Sequence, residues 1–336
     1  MQLTPEVKAQ LAEQKKQCIF CKIAAKEVQS KIVFEDSKTL ALLDIYPALK
    51  GHTIFLPKEH YPIVPYIPPS EFSYFFSILP QLSRAVKKGM VATGLNIFIA
   101  NGGAAGQQAP HFMVHLLPRD RGDGFFKFFF DKRKAQQKDK VTSLQQMMNY
   151  LLQQHFKQNP ASWHTGVGEK PSHLNSLSGD VLYEDEKCLV LFPTKGICEG
   201  HLEVHSKTEE KYLERLSAED SFHLFFVASF AASALFEKYK AHGTNIIVKS
   251  GESDDNSSGR LSIHVLCRIT NDGLDLMWKP ERPSYNIEAV GEKIREQAWS
   301  VKYSAPKPVV KKVEVVTNPS QENEIERAIR QLRERG

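Results

Sequence analysis

The segment 106–119 contains the residues of this sequence whose types and spacing could do chemistry. A Gly-rich turn at 101–106 leads into it, and apolar side chains then alternate with others, as they do along a strand. Because successive strand side chains point to opposite faces, His111, Met113 and His115 are predicted to share one face. Imidazoles exchange protons near neutral pH, and the N–H groups of a Gly-rich loop bind anions. The segment therefore predicts a site for an anionic ligand.

The elements that position these residues follow from the spacing of apolar side chains. Residues 4–16 form a predicted polar helix, with Thr4 as its cap and Pro5 in its first turn. The other predicted elements are strands at 40–45, 53–56 and 96–100, a long helix at 71–91 and a connecting helix at 141–156. Strands that flank one long helix favour an α+β fold with an antiparallel meander sheet.

Length and composition limit the classes of protein that fit. The 336 residues suggest about two domains, and 41% hydrophobic with 25% charged residues is typical of soluble globular proteins. The net charge of +5 suits a phosphate-bearing ligand, and nucleic acid is not an expected partner. No apolar run reaches membrane-spanning length and no signal-peptide pattern is present, so no membrane partner is expected. The five cysteines lack disulfide spacing, which favours a reducing, cytoplasmic location.

An internal repeat covers most of the chain. Each matched residue recurs 149 positions later without an insertion, as His264 does for His115. The matched pairs include Phe34-Glu35-Asp36 with Tyr183-Glu184-Asp185, Gly51-His52 with Gly200-His201, Asn96-Ile97 with Asn245-Ile246, and Arg119 with Arg268. Such a register through loops, helix and strands predicts two tandem copies of one fold.

The segment 106–119 resembles the signature of the histidine triad (HIT) superfamily of nucleotide hydrolases and transferases. The family pattern is His-apolar-His-apolar-His after Gly-Gln, and here His111 is the first histidine and His115 the third. Met113 occupies the position of the histidine that attacks the α-phosphorus of a nucleotide in this family. In the second copy, Ser262 stands at that position and only the third histidine remains, as His264. The resemblance therefore implies that neither copy has an intact catalytic triad.

The resemblance also implies the architecture. HIT proteins are typically homodimers, so two copies in one chain are expected to form an intramolecular pseudo-dimer of α+β domains. The expected organisation is an N-terminal helix at 1–17, a first HIT domain at 18–126, a connecting helix and linker at 127–178, a degenerate second HIT domain at 179–280 and a C-terminal extension at 281–336. Within the extension, helices are predicted at 287–299 and 321–335 and an extended segment at 309–316. The charged terminal helix is a candidate contact for the pseudo-dimer or for a protein partner.

Some HIT-related proteins hold a structural zinc, and all four ligand positions have matches in this sequence. They are Cys18, Cys21, His60 and His111. A Cys2His2 set closes a tetrahedral site, so the implied zinc is structural and would attach the N-terminal segment to the strand with the signature. A reduced cysteine pair with unrelated histidines is the alternative interpretation.

The resemblance assigns much of a nucleotide site to the first copy. Asp44 matches the carboxylate that holds the ribose hydroxyls. The matched apolar walls around the base are Phe20, Ile23, Leu43 and Ile45, and the matched phosphate contacts are Asn101, Gly106, Gln107 and His115. Carboxylates accept from diols, while amides and imidazoles donate to phosphate oxygens, so the residue types suit these roles.

Two further features have competing interpretations. Ser262 and His264 form a candidate Ser–His pair, but two residues are ~6.6 Å apart along a strand and no orienting acid is evident, so a catalytic pair is not favoured. The aromatic run 125–130 could stack on nucleic acid, or pack beneath the domain interface, which is favoured.

The favoured function is the binding of a purine nucleotide or a related phosphate compound without turnover. Residual activity as a nucleotide hydrolase or nucleotidyl transferase, through other residues, is one alternative. A non-catalytic scaffold or interaction protein is the other.

Overall fold

The computed structural model describes residues 4–131, 134–158 and 166–303. Its helices are α1 (Pro5–Gln17), α2 (Ile19–Ala24), α3 (Pro69–Met90), α4 (Val141–Gln158), α5 (Ala218–Tyr239) and α6 (Ile287–Ala298). Its strands are β1 (Ile32–Glu35), β2 (Thr39–Leu43), β3 (Thr53–Pro57), β4 (Gly94–Asn101), β5 (Val114–Arg119), β6 (Lys134–Ala135), β7 (Gly179–Glu184), β8 (Cys188–Pro193), β9 (Lys195–Gly196), β10 (His201–Ser206), β11 (Gly243–Gly251) and β12 (Ser262–Arg268). The helices predicted at 4–16, 71–91, 141–156 and 287–299 are confirmed within a few residues. The segments predicted at 309–316 and 321–335 lie outside the described residues.

The long helices α3 and α5 are counterparts, since they begin 149 residues apart. Pro69 opens α3, where its fixed φ suits the first turn and its missing N–H is not needed. At the start of α5, the Ser217 hydroxyl accepts from the N–H of Asp220 at 3.0 Å. The two copies therefore use different residues to begin the same helix.

Ten strands form a single sheet in the order β1-β2-β3-β5-β4-β11-β12-β10-β8-β7. Each half of the sheet comes from one copy, and the halves join through the antiparallel pair β4 and β11. Within that pair, Phe98 lies opposite Ile247, which is its own counterpart in the repeat. A pseudo-two-fold axis therefore passes through this residue pair. The predicted α+β pseudo-dimer of two tandem copies is confirmed.

The long helices cover one face of the sheet and leave the other face for the two candidate sites. Phe76 of α3 stacks on Phe225 of α5, with ring centroids 4.5 Å apart, so one apolar cluster continues across both copies. Val290 and Ile294 of α6 belong to the same cluster. Burial of this apolar layer provides most of the driving force that holds the copies together.

The aromatic run 125–130 crosses from the first copy to the pseudo-two-fold axis on the other face. Phe125 and Phe128 are buried in a cluster around the central Phe98, whereas Phe126 and Phe129 are each 61% exposed. The packing interpretation is therefore confirmed for the two buried rings. Among the described residues, no helix combines the length and the apolar character that crossing a membrane requires.

Candidate functional site

Two cysteines and two histidines meet at the start of α2. Cys18 caps this helix and Cys21 lies in its first turn, so both thiols face His60 and His111. The Sγ atom of Cys18 is 3.4 Å from Nδ1 of His111. The Sγ atom of Cys21 is 3.3 Å from Nδ1 of His60 and 3.6 Å from Nδ1 of His111. The fold thus brings together all four residues that the sequence predicts as metal ligands.

The distances within this cluster match those of a tetrahedral zinc site. Zn–S bonds of about 2.3 Å and Zn–N bonds of about 2.0–2.1 Å place sulfur and nitrogen donors about 3.6 Å apart at tetrahedral angles. The Nε2 atom of His111 lies 2.9 Å from the carbonyl oxygen of Pro57 and donates to it, so the Nδ1 lone pair faces the thiols. Burial lowers the pKa of His111 to about 4 and raises that of Cys21 to about 12. His111 is therefore neutral at pH 7, as a zinc ligand must be.

Beside this cluster, a chain of hydrogen bonds fixes the protonation of His115. The backbone N–H of Ala48 donates to Nδ1 of His52 at 3.1 Å, which leaves the His52 proton on Nε2. That Nε2–H donates to Nδ1 of His115 at 2.9 Å, so the proton of His115 lies on its own Nε2. Burial lowers the pKa of both imidazoles to about 3, so both are neutral at pH 7. His115 is therefore a hydrogen-bond donor on the side that faces away from His52.

Met113 lies on the same face of the sheet as His115. It packs against an apolar cluster that includes Ile23 and Ile54, whereas its neighbours Phe112 and Val114 are buried on the helix side. The predicted alternation of the signature is thereby confirmed. The thioether has no proton to exchange, so the position offers no activated nucleophile.

The walls of the predicted base pocket are partly as expected. Phe20 and Ile23 belong to the apolar cluster next to Met113. Leu43 does not, because it packs into the helix-side core with 2% of its surface exposed. Its neighbour Leu42 lies in the pocket cluster instead, since adjacent strand residues point to opposite faces. The prediction that Leu43 lines this pocket is therefore wrong, and Leu42 takes its place in the apolar cluster.

Asp44 and Ile45 follow the end of β2, next to the histidine chain. The Oδ1 atom of Asp44 accepts from the N–H of Tyr46 at 2.8 Å, and its Oδ2 atom lies 3.5 Å from Nδ1 of His52. Ile45 is 58% exposed, at the rim of the pocket. The carboxylate keeps acceptor positions for a ligand, because its two oxygens offer about four lone pairs.

Asn101 and Gln107 hold the Gly-rich loop in place. The Oδ1 atom of Asn101 accepts from the N–H of Val64 at 3.2 Å, and the amide of Gln107 bridges backbone groups within and beside the loop. In the second copy, Ser250 and Asn256 make the corresponding bonds to backbone. These side chains therefore anchor both loops, and a phosphate contact from them stays a prediction.

Two residues of the second copy cover the first site, and sequence reasoning missed both. Gly106 has a φ of +88°, and a Cβ atom there would lie 2.5 Å from Sδ of Met277. The ring of Trp278 meets His52 and His115 edge-on, with centroid distances of 4.9 and 5.3 Å. The repeat could have indicated a role for Trp278, because it aligns this residue with the aromatic run that follows the first copy.

The second copy repeats the histidine chain. The N–H of Ile197 donates to Nδ1 of His201 at 3.3 Å, and Nε2 of His201 lies 3.0 Å from Nδ1 of His264. The Oγ atom of Ser262 is 3.0 Å from Nε2 of His264. The expectation that the strand spacing keeps this pair apart is wrong, because side chains on one face lean together. An acid is also present, with Oε1 of Glu203 at 3.9 Å from Nδ1 of His264.

This chain of hydrogen bonds decides what the Ser262–His264 pair can do. Because Nε2–H of His201 donates to Nδ1 of His264, the proton of His264 lies on Nε2 and is donated to Ser262. Activation of a serine requires the opposite arrangement, with a lone pair on the nitrogen that faces the hydroxyl. Ser262 is therefore a hydrogen-bonding group and not an activated nucleophile in this arrangement.

Comparison with known proteins identifies related chains. The family model described as HIT domain matches residues 25–122 and 175–271. A HIT-like protein of Methanocaldococcus jannaschii is 42% identical over 107 residues, which are 32% of this chain and 82% of that protein. An adenylylsulfatase of Arabidopsis thaliana is 34% identical over 126 residues, which are 38% of this chain and 64% of that protein. The solved structure of a zinc-bound histidine triad family protein from Mycobacterium smegmatis is 33% identical over 33% of this chain and 80% of that one, with a TM-score of 0.31.

Proposed function

The chain belongs to the HIT domain family, and we propose that its first copy binds a purine nucleotide or a related phosphate compound without turning it over. The arrangement of His115 and Met113 in the first site is the observation that supports the proposal. His115 is held neutral with its donor proton fixed on Nε2, while Met113 occupies the place of the nucleophile. The site can therefore bind an anion and lacks the atom that would attack it.

Each part of a nucleotide has a suitable partner in the first copy. Asp44 accepts from the ribose hydroxyls, and Phe20, Ile23 and Leu42 contact the base. The Nε2–H of His115 and the backbone N–H groups of the Gly-rich loop donate to phosphate oxygens. These are neutral or fixed donors, so binding does not depend on a net positive pocket.

His115 does not replace the missing nucleophile. Its one lone pair in the ring plane lies on Nδ1, where it accepts from His52 at 2.9 Å. The nitrogen that faces away from His52 carries the proton, and a protonated nitrogen does not attack phosphorus. The absence of turnover therefore follows from both residues of the segment and not from Met113 alone.

Calorimetry with AMP on the full chain tests the proposal. Asp44→Asn is expected to weaken one class of AMP sites at least tenfold, because a hydrogen bond to a charged group contributes about 1.5–3 kcal/mol. Asp180→Asn, at an exposed carboxylate of β7, serves as the matched control. No heat of binding, or hydrolysis of an adenosine phosphoramidate above the rate of a Met113→Ala variant, would contradict the proposal.

We also propose that Cys18, Cys21, His60 and His111 hold one structural zinc ion. Four protein donors leave no position for water, so the metal would cross-link α2 to the signature segment and do no chemistry on a ligand. Metal analysis should find about one zinc per chain in the wild type and in Cys198→Ser, a variant of a buried cysteine elsewhere. Cys21→Ser should lose the zinc, and equal content in all three proteins would refute this assignment.

A further inference from the structure

The second copy has polar residues where the first copy is apolar. The apolar residues Ile54, Leu56, Ala100 and Met113 correspond to Glu203, His205, Lys249 and Ser262. The polar set lies on the same face of β10, β11 and β12, since Lys249 pairs with Ser262 and Glu203 with His264 in the sheet register.

Burial of these polar side chains costs hydration free energy. Glu203, His205 and Lys249 expose only 5%, 8% and 6% of their surface. Nε2 of His205 lies 3.1 Å from Oε2 of Glu203, and Nζ of Lys249 donates to the carbonyl oxygen of Asp255 at 3.0 Å. Because even paired charges lose hydration free energy on burial, apolar residues of the first-copy type would serve a scaffold better. The polar set therefore places hydrogen-bonding groups on a face where the first copy has apolar residues.

A cavity of about 610 Å³ opens directly onto these residues. Glu203, His205 and Ser262 line its floor, and Arg260 and Lys211 line it from exposed positions. Phe130, Leu174 and Leu177 provide apolar walls. Cavities of this size and mixed lining hold ligands of the size of a nucleotide.

We propose that this cavity is a second ligand site and that it takes a nucleotide whose base carries an exocyclic amino group. Ser262 accepts from His264 and can donate its own proton, and Lys249 lies on the paired position of the next strand, so the two suit an anionic group. The carboxylate of Glu203 can accept from an amino group in addition to His205, because it offers about four lone pairs. The choice of a nucleotide rests on the function proposed for the first copy, whereas the existence of the site rests on the cavity.

The two copies should therefore differ in what they recognise. The first pocket has Ile54 and Leu56 beneath the ligand, and neither residue distinguishes bases by their amino groups. The second pocket has Glu203 and His205 at the same places. An analogue without the amino group cannot donate a hydrogen bond to the Glu203 carboxylate. Such a loss reduces affinity by a factor of about ten or more.

The test uses the full chain with Asp44→Asn, which affects the first site alone because the second copy has Pro193 there. GMP, AMP, IMP, which lacks the amino groups of both, and inorganic phosphate are titrated separately by calorimetry. We expect the second site to bind GMP or AMP at least tenfold more tightly than IMP and more tightly than phosphate. If neither GMP nor AMP binds more tightly than IMP in this background, the proposal is overturned.

Variants of the second copy that carry residues of the first copy test where the ligand binds. Glu203→Gln should reduce the preference for GMP over IMP, because a neutral amide oxygen accepts more weakly than a carboxylate. The combined change Glu203→Ile, His205→Leu and Ser262→Met should abolish GMP binding. Glu203→Gln is isosteric, so it keeps the test valid if the combined variant does not fold. GMP binding that survives in a folded combined variant, or a preference for GMP that Glu203→Gln leaves unchanged, would refute the site. The first-copy function fails separately, if Asp44→Asn leaves the affinity of every AMP site unchanged.

Discussion

Replacement of Met113 by histidine tests whether the first site lacks only its nucleophile. Met113 is half-buried on the site face, two residues before His115, and its side chain is close in volume to histidine. The change removes thioether contacts with the apolar cluster around Ile54, so we expect a loss of about 1–2 kcal/mol in the free energy of unfolding. The variant should therefore remain folded at ordinary temperatures.

The expected gain in rate follows from what the site retains. Asp44, the anchored loop and the donor Nε2–H of His115 are in place, so the new imidazole would meet a positioned phosphorus atom. A positioned proton donor contributes about 10²–10⁴-fold to such reactions, and a nucleophile that forms a covalent intermediate divides one difficult step into two easier ones. We expect hydrolysis of an adenosine phosphoramidate at least about 10³-fold faster than in Met113→Ala, which corresponds to about 4 kcal/mol of barrier.

The second copy supplies the matched control. Ser262→His places the same residue beside the same histidine chain, through His201 and His264, but Pro193 stands where the first copy has Asp44. We expect a smaller gain from this variant. The assay is the steady-state rate, together with a single-turnover search for nucleotide bound covalently to the protein. A folded Met113→His protein that binds AMP and gains no rate would show that more than the nucleophile is missing, and an equal gain from Ser262→His would show that Asp44 is dispensable.

The remaining predictions concern the loop, the interface and pH. Gly106→Ala should weaken AMP binding at least tenfold, because its φ of +88° strains an L side chain, whereas Gly103→Ala meets nothing within 4 Å and should change little. Asp255→Asn should lower the free energy of unfolding by about 2–3 kcal/mol in urea, since the buried Arg119 of the other copy loses a carboxylate at 2.7 Å, and an unchanged midpoint would contradict this. Burial lowers the pKa of His52 from 6.5 to about 3, so its contribution is complete above pH 6.5 and is lost as the pH falls towards 3. His52 alone should contribute a loss of about 1.4 kcal/mol per pH unit below 6.5, to which the buried His115 and His111 add their own losses. Unfolding in urea at pH 7 and 5.5 should therefore show a smaller loss for His52→Gln than for the wild type.

The fold could be predicted because the sequence contains it twice. A constant spacing of 149 residues links equivalent positions through every element. The two copies therefore have the same elements, and their sheets join through equivalent strands. Phe98 pairs with Ile247, and these two residues are 149 positions apart. The cluster of candidate metal ligands was predicted through the family resemblance, and its two cysteines lie close together because they are three residues apart at the start of α2.

The errors in the predicted site arise where local pattern does not fix the outcome. Leu42 and Leu43 are adjacent on a short strand and face opposite sides of the sheet. Because both are apolar, the sequence pattern does not show which of them faces the pocket. Ser262 and His264 meet because their side chains converge, which a distance along the backbone does not describe. Trp278 reaches the first site from the other copy, and packing between copies leaves no periodic signature.

The histidine chain gives both copies the same hydrogen-bond donor, although neither copy has the middle histidine of the triad. His52 and His115 in the first copy, and His201 and His264 in the second, share the same bonds and the same fixed proton on Nε2 of the third histidine. A chain that served only to support an attacking imidazole would have no use after that residue was lost. A chain that fixes a neutral donor towards a phosphate keeps its use, because binding requires the donor and not the nucleophile. The shared chain therefore favours two binding sites, and the difference between Ile54 and Glu203 beneath them favours two different ligands.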